Sequence, residues 1–409
     1  MRCGLIGERL GHSHSKALHG LLADYRYDLI ELAPEELGPF LQKGEFDGLN
    51  VTIPYKQAVI PYLRELTTAA RAIGSVNTIV RRPDGTLLGD NTDAWGLGVI
   101  AGRAGMAFAG KKTLILGSGG TAKTARHVVE AAGGEAVTVS RTGETNYENL
   151  ERHADAAYLI NATPVGMYPG VQAAPVDLAR LPNLRGVADV IYNPLRTRLM
   201  QQARALGIPC QGGLTMLTYQ AVRACERFTG RPVPAERARE AERALRRAVT
   251  GLALVGMPGA GKSTVGALAA ARLGMPFVDL DREIEKAAGM PIPRIFEAEG
   301  EAGFRRRETE ALRRVALVGG QVIAAGGGVV KRAENRELLR MNCVVVHIRR
   351  ALEKLPTEGR PLSAGGVERL WRERAGLYAA AADAEIENGA TAEACAREVE
   401  EAYHEAVCD

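Results

Sequence analysis

The stretch TGLALVGMPGAGKST, residues Thr250 to Thr264, decides the fold of the second half of the chain. The apolar run GLALV leads into a glycine-rich loop, and TVGALAAARLG then reads as a helix. The loop fits the spacing G-x-x-x-x-G-K-S at Gly256, Gly261, Lys262 and Ser263. In a strand–loop–helix context these residue types share one purpose. Backbone N–H groups cradle phosphates, the lysine reaches the β and γ oxygens, and the serine hydroxyl ligates Mg²⁺. Gly256, Gly259, Ala260, Gly261, Lys262, Ser263 and Thr264 are therefore expected to hold ATP, with Ser263 also on the metal.

The residues after the loop narrow the chemistry. The chain has no N-K-x-D for guanine and no apolar strand ending in D-E, so a GTPase or a mechanical ATPase is disfavoured. In FVDLDREIE, Asp279 and Asp281 stand two apart at a strand end, where both carboxylates would face one way. One carboxylate near the metal and one near an acceptor hydroxyl suit phosphoryl transfer to an alcohol.

Upstream, TLILGSGGTAK (Thr113 to Lys123) is a glycine turn of another kind. Gly117, Ser118, Gly119 and Gly120 follow an apolar strand and open a helix, as a pyrophosphate-binding turn does. A lone turn of this sort is also compatible with a purely structural role. The next strand sharpens the reading: where an NAD site would place an acid, EAVTVSRT ends in Ser140, Arg141 and Thr142. A cation with hydroxyls suits a 2′-phosphate, so NADP is expected over NAD.

The bulk numbers agree with α/β folding on more than one core. At 409 residues, two or three domains are expected, and 47 glycines clustered in short loops suit strand-to-helix turns. A net charge of +4 without long runs of like charge argues against nucleic acid. The cysteines are scattered without a CxxC pair, and the N-terminus lacks a secretory pattern. The apolar segment Val315 to Val330 is interrupted by glycines and reads as a buried strand between turns, not a membrane span. The expectation is a cytoplasmic protein with small-molecule partners, no nucleic acid and no membrane; a homo-oligomer stays open.

Three βα series succeed one another. Residues 1–98 form the first, completed by 212–248; residues 99–211 form a Rossmann-like second; residues 250–409 form the third. All sheets are expected to be mostly parallel. The charged amphipathic stretch Arg231 to Val249 is the expected boundary.

The first block carries short polar motifs at strand ends: Ser13 and Ser15 in GHSHSKALHG, Thr52 and Lys56 in NVTIPYK, Asn77 in GSVNT, Asp93 in GDNTDAWG. Pro54 is expected to hold its segment extended, and the two serine hydroxyls to point together if their segment is extended. Singly each motif has a structural reading. Together, over about residues 1–248, they resemble shikimate dehydrogenase in order, with Asn161 to Met167, Asp189 to Thr197 and Gly212 to Gln220 continuing the match. The resemblance implies NADPH-dependent reduction of 3-dehydroshikimate. It implies Lys56 and Asp93 as the catalytic pair, and Ser13, Ser15, Thr52, Asn77, Tyr192 and Gln220 on the substrate, with Gly213 beside the cofactor. Lys16 and Gly20 depart from the family, where proline and asparagine are usual.

Residues 250–409 likewise resemble shikimate kinase through D-x-D, G-E-x-x-F-R-x-x-E, G-G-G, R-P-L and R-x-x-L-Y. The resemblance implies a P-loop domain with a central parallel sheet and a mobile lid. It implies Asp281 on the shikimate hydroxyl and Asp279 supporting Mg²⁺. Arg305, Gly326, Gly327, Gly328 and Arg374 would hold the substrate, and Arg360 in the lid would stabilise the transferred phosphoryl group. The segment ALEKLPTEG stands where a basic residue usually stacks on adenine. Taken together, the two resemblances imply one chain that makes shikimate and phosphorylates it. Two alternatives stand beside this: a kinase with an N-terminal shikimate- or NADP-sensing module, and a quinate-preferring dehydrogenase.

Overall fold

The computed structural model describes residues 1–11, 13–355 and 366–408. His12, Arg360 and the expected lid lie outside the described residues. The chain divides into two compact units, Met1–Leu245 and Arg246–Asp409. The division falls inside the helix Ala235–Val249, which the sequence marks as the boundary segment. Among the described residues no helix is long and apolar enough to cross a membrane.

The first unit holds two sheets. Strands β1 (Arg2–Gly7), β2 (Arg26–Glu31), β3 (Gly48–Val51), β4 (Glu65–Leu66), β5 (Thr78–Arg81) and β6 (Leu87–Asp90) form the first, in the order β2-β1-β3-β5-β6-β4. β1 from Cys3 onward and all of β3 are buried, as strands covered on both faces are, and apart from Asn50 these buried positions are apolar or glycine. β5 runs antiparallel to both of its neighbours while the other three pairings are parallel, so the sheet is mostly but not wholly parallel. The β5–β6 reversal is local: Pro83, Asp84 and Gly85 make a tight turn, with Gly85 at φ 84° and the Asp84 carboxylate accepting from Thr86 N at 2.9 Å.

The second sheet is wholly parallel: β7 (Lys112–Leu116), β8 (Glu135–Val139), β9 (Tyr158–Asn161), β10 (Gly186–Asp189) and β11 (Cys210–Gln211), ordered β11-β10-β9-β7-β8. Alternation along β7 sends Leu114 and Leu116 into one core and Ile115 into the other, where it meets Leu97, Ile100 and Val129. Neighbours of β7 lie on both sides, so the strand order reverses there, and ligands bind outside the strand ends at such a point.

In the second unit, β12 (Gly251–Val255), β13 (Phe277–Asp279), β14 (Val322–Ala324), β15 (Cys343–Arg349) and β16 (Ala384–Glu387) form a parallel sheet ordered β13-β14-β12-β15-β16. Every residue of β12 is buried. The carboxyl ends of β12, β13 and β14 therefore deliver the phosphate loop, Asp279 and the triple glycine to one edge.

Candidate active sites

In the first unit a cavity of about 480 Å³ opens beside the carboxyl ends of β1 and β3. Ser13, Ser15, Thr52, Asn77, Tyr192 and Gln220 all line it, as do Lys56, Asp93 and Gly213. Lys56 Nζ donates to Asp93 Oδ2 at 2.7 Å, and both side chains are only partly exposed. Asp93 is placed by the start of the helix Asp93–Arg103, whose N-terminus favours a carboxylate. Asn77 is buried, lines the cavity, and its Oδ1 accepts from Thr92 N at 2.7 Å.

Two local expectations need correction. Ser13 and Ser15 are not on an extended segment: Ser15 opens the helix Ser15–Leu22 and its N–H donates to Ser13 Oγ at 3.2 Å. Both still line the cavity. Pro54 stands in a turn after a cis peptide bond, and not in an extended segment; the turn leads directly to Lys56. The departures Lys16 and Gly20 are exposed, and a Cβ on Gly20 would meet nothing within 4 Å.

Sequence reading did not single out Asn50, Tyr27 or Arg9. Asn50 lines the cavity and accepts from the Tyr27 hydroxyl at 2.7 Å, a support that a motif cannot show. Arg9 also lines the cavity. An isolated arginine in a loop carries no signal of its own.

At the end of β7, Gly117 takes φ 105°, and a Cβ there would press on Thr163 and Ala162 in the loop after β9. Gly119 and Gly120 differ: a Cβ on either would meet nothing within 4 Å. Their lack of side chains answers to no packing of the protein itself and fits the close approach of a pyrophosphate to the helix Gly120–Ala131. Ser118 is exposed in the same turn, and Arg141 and Thr142 are exposed or partly so beyond β8, with Ser140 partly buried beside them. Behind the turn, Asn161 Nδ2 donates to the buried Asp189 at 3.0 Å, and Thr197 Oγ1 donates to it at 2.6 Å. Gly213 approaches β10 so closely that a Cβ would lie 2.0 Å from Val190 O.

In the second unit a cavity of about 600 Å³ collects the other set. Gly259, Gly261, Lys262, Ser263 and Thr264 line it; Gly256 and the buried Ala260 complete the loop behind them. Gly261, at φ 97°, turns the chain into the helix Lys262–Leu273, whose first N–H groups face the loop. Lys262 is buried and Nζ donates to Gly256 O and Met257 O, each at 2.9 Å. Ser263 Oγ donates to Asp279 Oδ2 at 2.6 Å, which brings a hydroxyl and a carboxylate together as a Mg²⁺ site requires.

Asp279 and Asp281 meet the same cavity by a different route from the one expected. Asp279 ends β13 and caps the helix Leu280–Ala288, accepting from Asp281 N at 3.1 Å. Asp281 thus belongs to the helix, and a strand-to-helix turn, not strand alternation, aims it. Burial pushes its carboxyl above the ordinary range, opposed chiefly by the Lys262 charge.

Arg305 lies on the helical segment Ile292–Ala316, beyond a kink at Gly300. Its Nη1 donates to Glu308 Oε2 at 2.8 Å, and both residues are buried. Glu308 closes the motif G-E-x-x-F-R-x-x-E but drew no role from the sequence, since a motif does not show burial; its Oε1 has no partner among the described residues, and burial raises its carboxyl too. Gly328 lets Arg305 in, because a Cβ there would stand 2.3 Å from both terminal nitrogens. Arg374 is buried and donates Nη1 to Gly327 O at 3.1 Å, and its Nε has no partner among the described residues. Gly326, Gly327 and Gly328 all line the cavity.

Comparison with known proteins agrees with both halves. Residues 5–79 match the shikimate dehydrogenase substrate binding domain, 213–241 the shikimate 5′-dehydrogenase C-terminal domain, and 258–404 shikimate kinase. Shikimate dehydrogenase (NADP(+)) of Shouchella clausii is 36% identical over 56% of this chain and 92% of that protein. Among solved structures, a chorismate mutase/shikimate 5-dehydrogenase fusion from Clostridium acetobutylicum is 32% identical. It covers 59% of this chain and 96% of its own, with a TM-score of 0.57. Shikimate 5-dehydrogenase from Thermus thermophilus, in complex with NADP(H) and shikimate, is 29% identical over 60% of this chain and 99% of its own, TM-score 0.53. The chain belongs to the shikimate dehydrogenase family and continues, beyond that family's length, into a shikimate kinase domain.

Proposed function

We propose that the chain catalyses two consecutive reactions: reduction of 3-dehydroshikimate to shikimate, then phosphorylation of shikimate to shikimate 3-phosphate. The observation that carries this is the separation of roles: one cavity holds a Lys–Asp pair beside hydroxyl and amide groups, and the other holds a phosphate loop facing a carboxylate and two arginines. NADPH supplies the hydride, and MgATP the phosphoryl group. Gly117, Ser118, Gly119 and Gly120 would hold the pyrophosphate, with Ser140, Arg141 and Thr142 on the 2′-phosphate and Gly213 beside the nicotinamide end.

In the first reaction the Lys56 ammonium stabilises charge developing on the ketone oxygen and hands it a proton. Asp93, accepting from Lys56, keeps the ammonium aimed. Ser13, Ser15, Thr52, Asn77, Tyr192 and Gln220 bind the remaining hydroxyls and the carboxylate. In the second reaction Asp281 accepts the proton of the attacking hydroxyl. Lys262 neutralises phosphate charge, and Ser263 with Asp279 would hold Mg²⁺. Arg305 and Arg374 hold the substrate carboxylate in their guanidinium forks.

The test is a coupled assay from 3-dehydroshikimate, NADPH and ATP, in which shikimate 3-phosphate is expected. A chain that consumes neither NADPH nor ATP would overturn the reading. The sensing-module alternative drew on Lys16 and Gly20, and the exposure of both removes its motive.

A further inference from the structure

Tyr378 follows Arg374 by one turn on the helix Val367–Ala381, so both side chains leave the same face. It is fully buried, and its hydroxyl donates to the carbonyl oxygen of Gly327. That oxygen also accepts from Arg374 Nη1 at 3.1 Å, and a carbonyl has lone pairs for both donors. The same hydroxyl lies 3.9 Å from Met257 Sδ in the phosphate loop. A Cβ on Gly327 would stand 2.7 Å from the Pro258 ring, so the glycine loop and the phosphate loop touch at this point. His347 stacks on the Tyr378 ring with centroids 4.9 Å apart, which fixes the tilt of the phenol. Burial pushes the hydroxyl up to about 12, so it keeps its proton and remains a donor.

We propose that Tyr378 is a positioning residue of the kinase site: its hydroxyl pins the Gly327 carbonyl, and through that shared oxygen it sets the plane of the Arg374 guanidinium toward the substrate carboxylate. The inference rests on the kinase reading above. Without the hydroxyl the Gly327 peptide loses its fixed orientation, and Arg374 loses the acceptor that holds one end of its fork. The consequence falls chiefly on shikimate, because Arg374 shares the Gly327 carbonyl directly, whereas Lys262 is held by the Gly256 and Met257 carbonyls.

The experiment compares the full-length chain with its Tyr378→Phe, Arg374→Lys and double variants, with both kinase substrates varied. Dehydrogenase turnover measures the amount of enzyme, and an unchanged ATP KM with an unchanged Tm shows that the kinase unit is folded. The expected result for Tyr378→Phe is a shikimate KM raised about 5- to 20-fold, with kcat and the ATP KM within about twofold. The double variant is expected to be no worse than Arg374→Lys alone, since both changes act through one guanidinium. An unchanged shikimate KM in Tyr378→Phe overturns the proposal. So does additivity in the double variant, or an equal rise in both KM values with a lowered Tm. Failure of the kinase reading itself would look different: the unaltered chain would not phosphorylate shikimate at all.

Discussion

Lys56 Nζ lies 2.7 Å from Asp93 Oδ2, across a cavity wall built from two segments that are 37 positions apart in the chain. The ion pair is half-screened from solvent, and its lysine faces the space where a ketone oxygen would sit. Lys56→Ala is expected to lower dehydrogenase kcat by about 10²- to 10⁴-fold, the usual share of a general acid. Phosphorylation of added shikimate should continue at its normal rate. Turnover of NADP⁺ with shikimate, followed by absorbance, and a separate kinase assay check the two outcomes; an active Lys56→Ala enzyme would remove Lys56 from the chemistry.

Burial raises the Asp281 carboxyl, and the base must be ionised to accept the hydroxyl proton. Kinase kcat/KM should therefore fall as pH drops through this raised value. The acid limb should sit above the range of about 4 usual for carboxylates. Asp281→Asn should lose about 10²- to 10⁴-fold in kcat at every pH, with the acid limb abolished. A pH–rate profile unchanged in the variant would assign that limb to another group.

Arg141 and its hydroxyl neighbours stand beyond β8, where the proposed function puts the 2′-phosphate. Arg141→Ala should raise the KM for NADP⁺ by about 10- to 100-fold, since a lost charge-assisted contact removes about 1.5–3 kcal/mol. The KM for NAD⁺ should stay nearly constant. Parallel titration of the two cofactors measures the ratio; equal losses on both would show that Arg141 does not read the phosphate.

Gly328 has no room for a methyl group: its Cβ would stand 2.3 Å from Nη1 and Nη2 of Arg305, which Glu308 holds in place. Gly328→Ala should displace the guanidinium and raise the shikimate KM at least about 10-fold. The ATP KM should change little. Shikimate saturation curves at fixed ATP decide it, and a normal KM would mean that Arg305 does not hold the substrate where proposed.

Several features were legible because their chemistry demands a fixed spacing. The phosphate loop needs its glycines, lysine and serine at set positions between a strand and a helix, so Gly256 to Thr264 could be placed without coordinates. The parallel strands β7 and β12 were likewise visible, since strands buried on both faces must be continuously apolar. Local geometry was less legible. Asp279 and Asp281 read as strand neighbours, but Asp279 caps a helix that begins at once. Ser13 and Ser15 read as extended, but the second opens a helix and donates its N–H to the first. In both cases a polar side chain captures a free N–H at a helix start, and this competes with strand periodicity over only two or three residues.

By itself, the sequence determined the order of the βα series, the two kinds of glycine turn and the identity of most polar side chains lining each cavity. Those depend on residue type and spacing along the chain, which a one-dimensional string carries whole. The tertiary structure alone decided which polar groups are buried and what they touch. It set Asn50 against Tyr27, Arg305 against Glu308, and Tyr378 beneath the carbonyl shared with Arg374. Such pairings join segments far apart in sequence, or single out one residue from a charged helix. Burial makes the pairings matter, because a buried donor or acceptor left unmatched costs more than an exposed one.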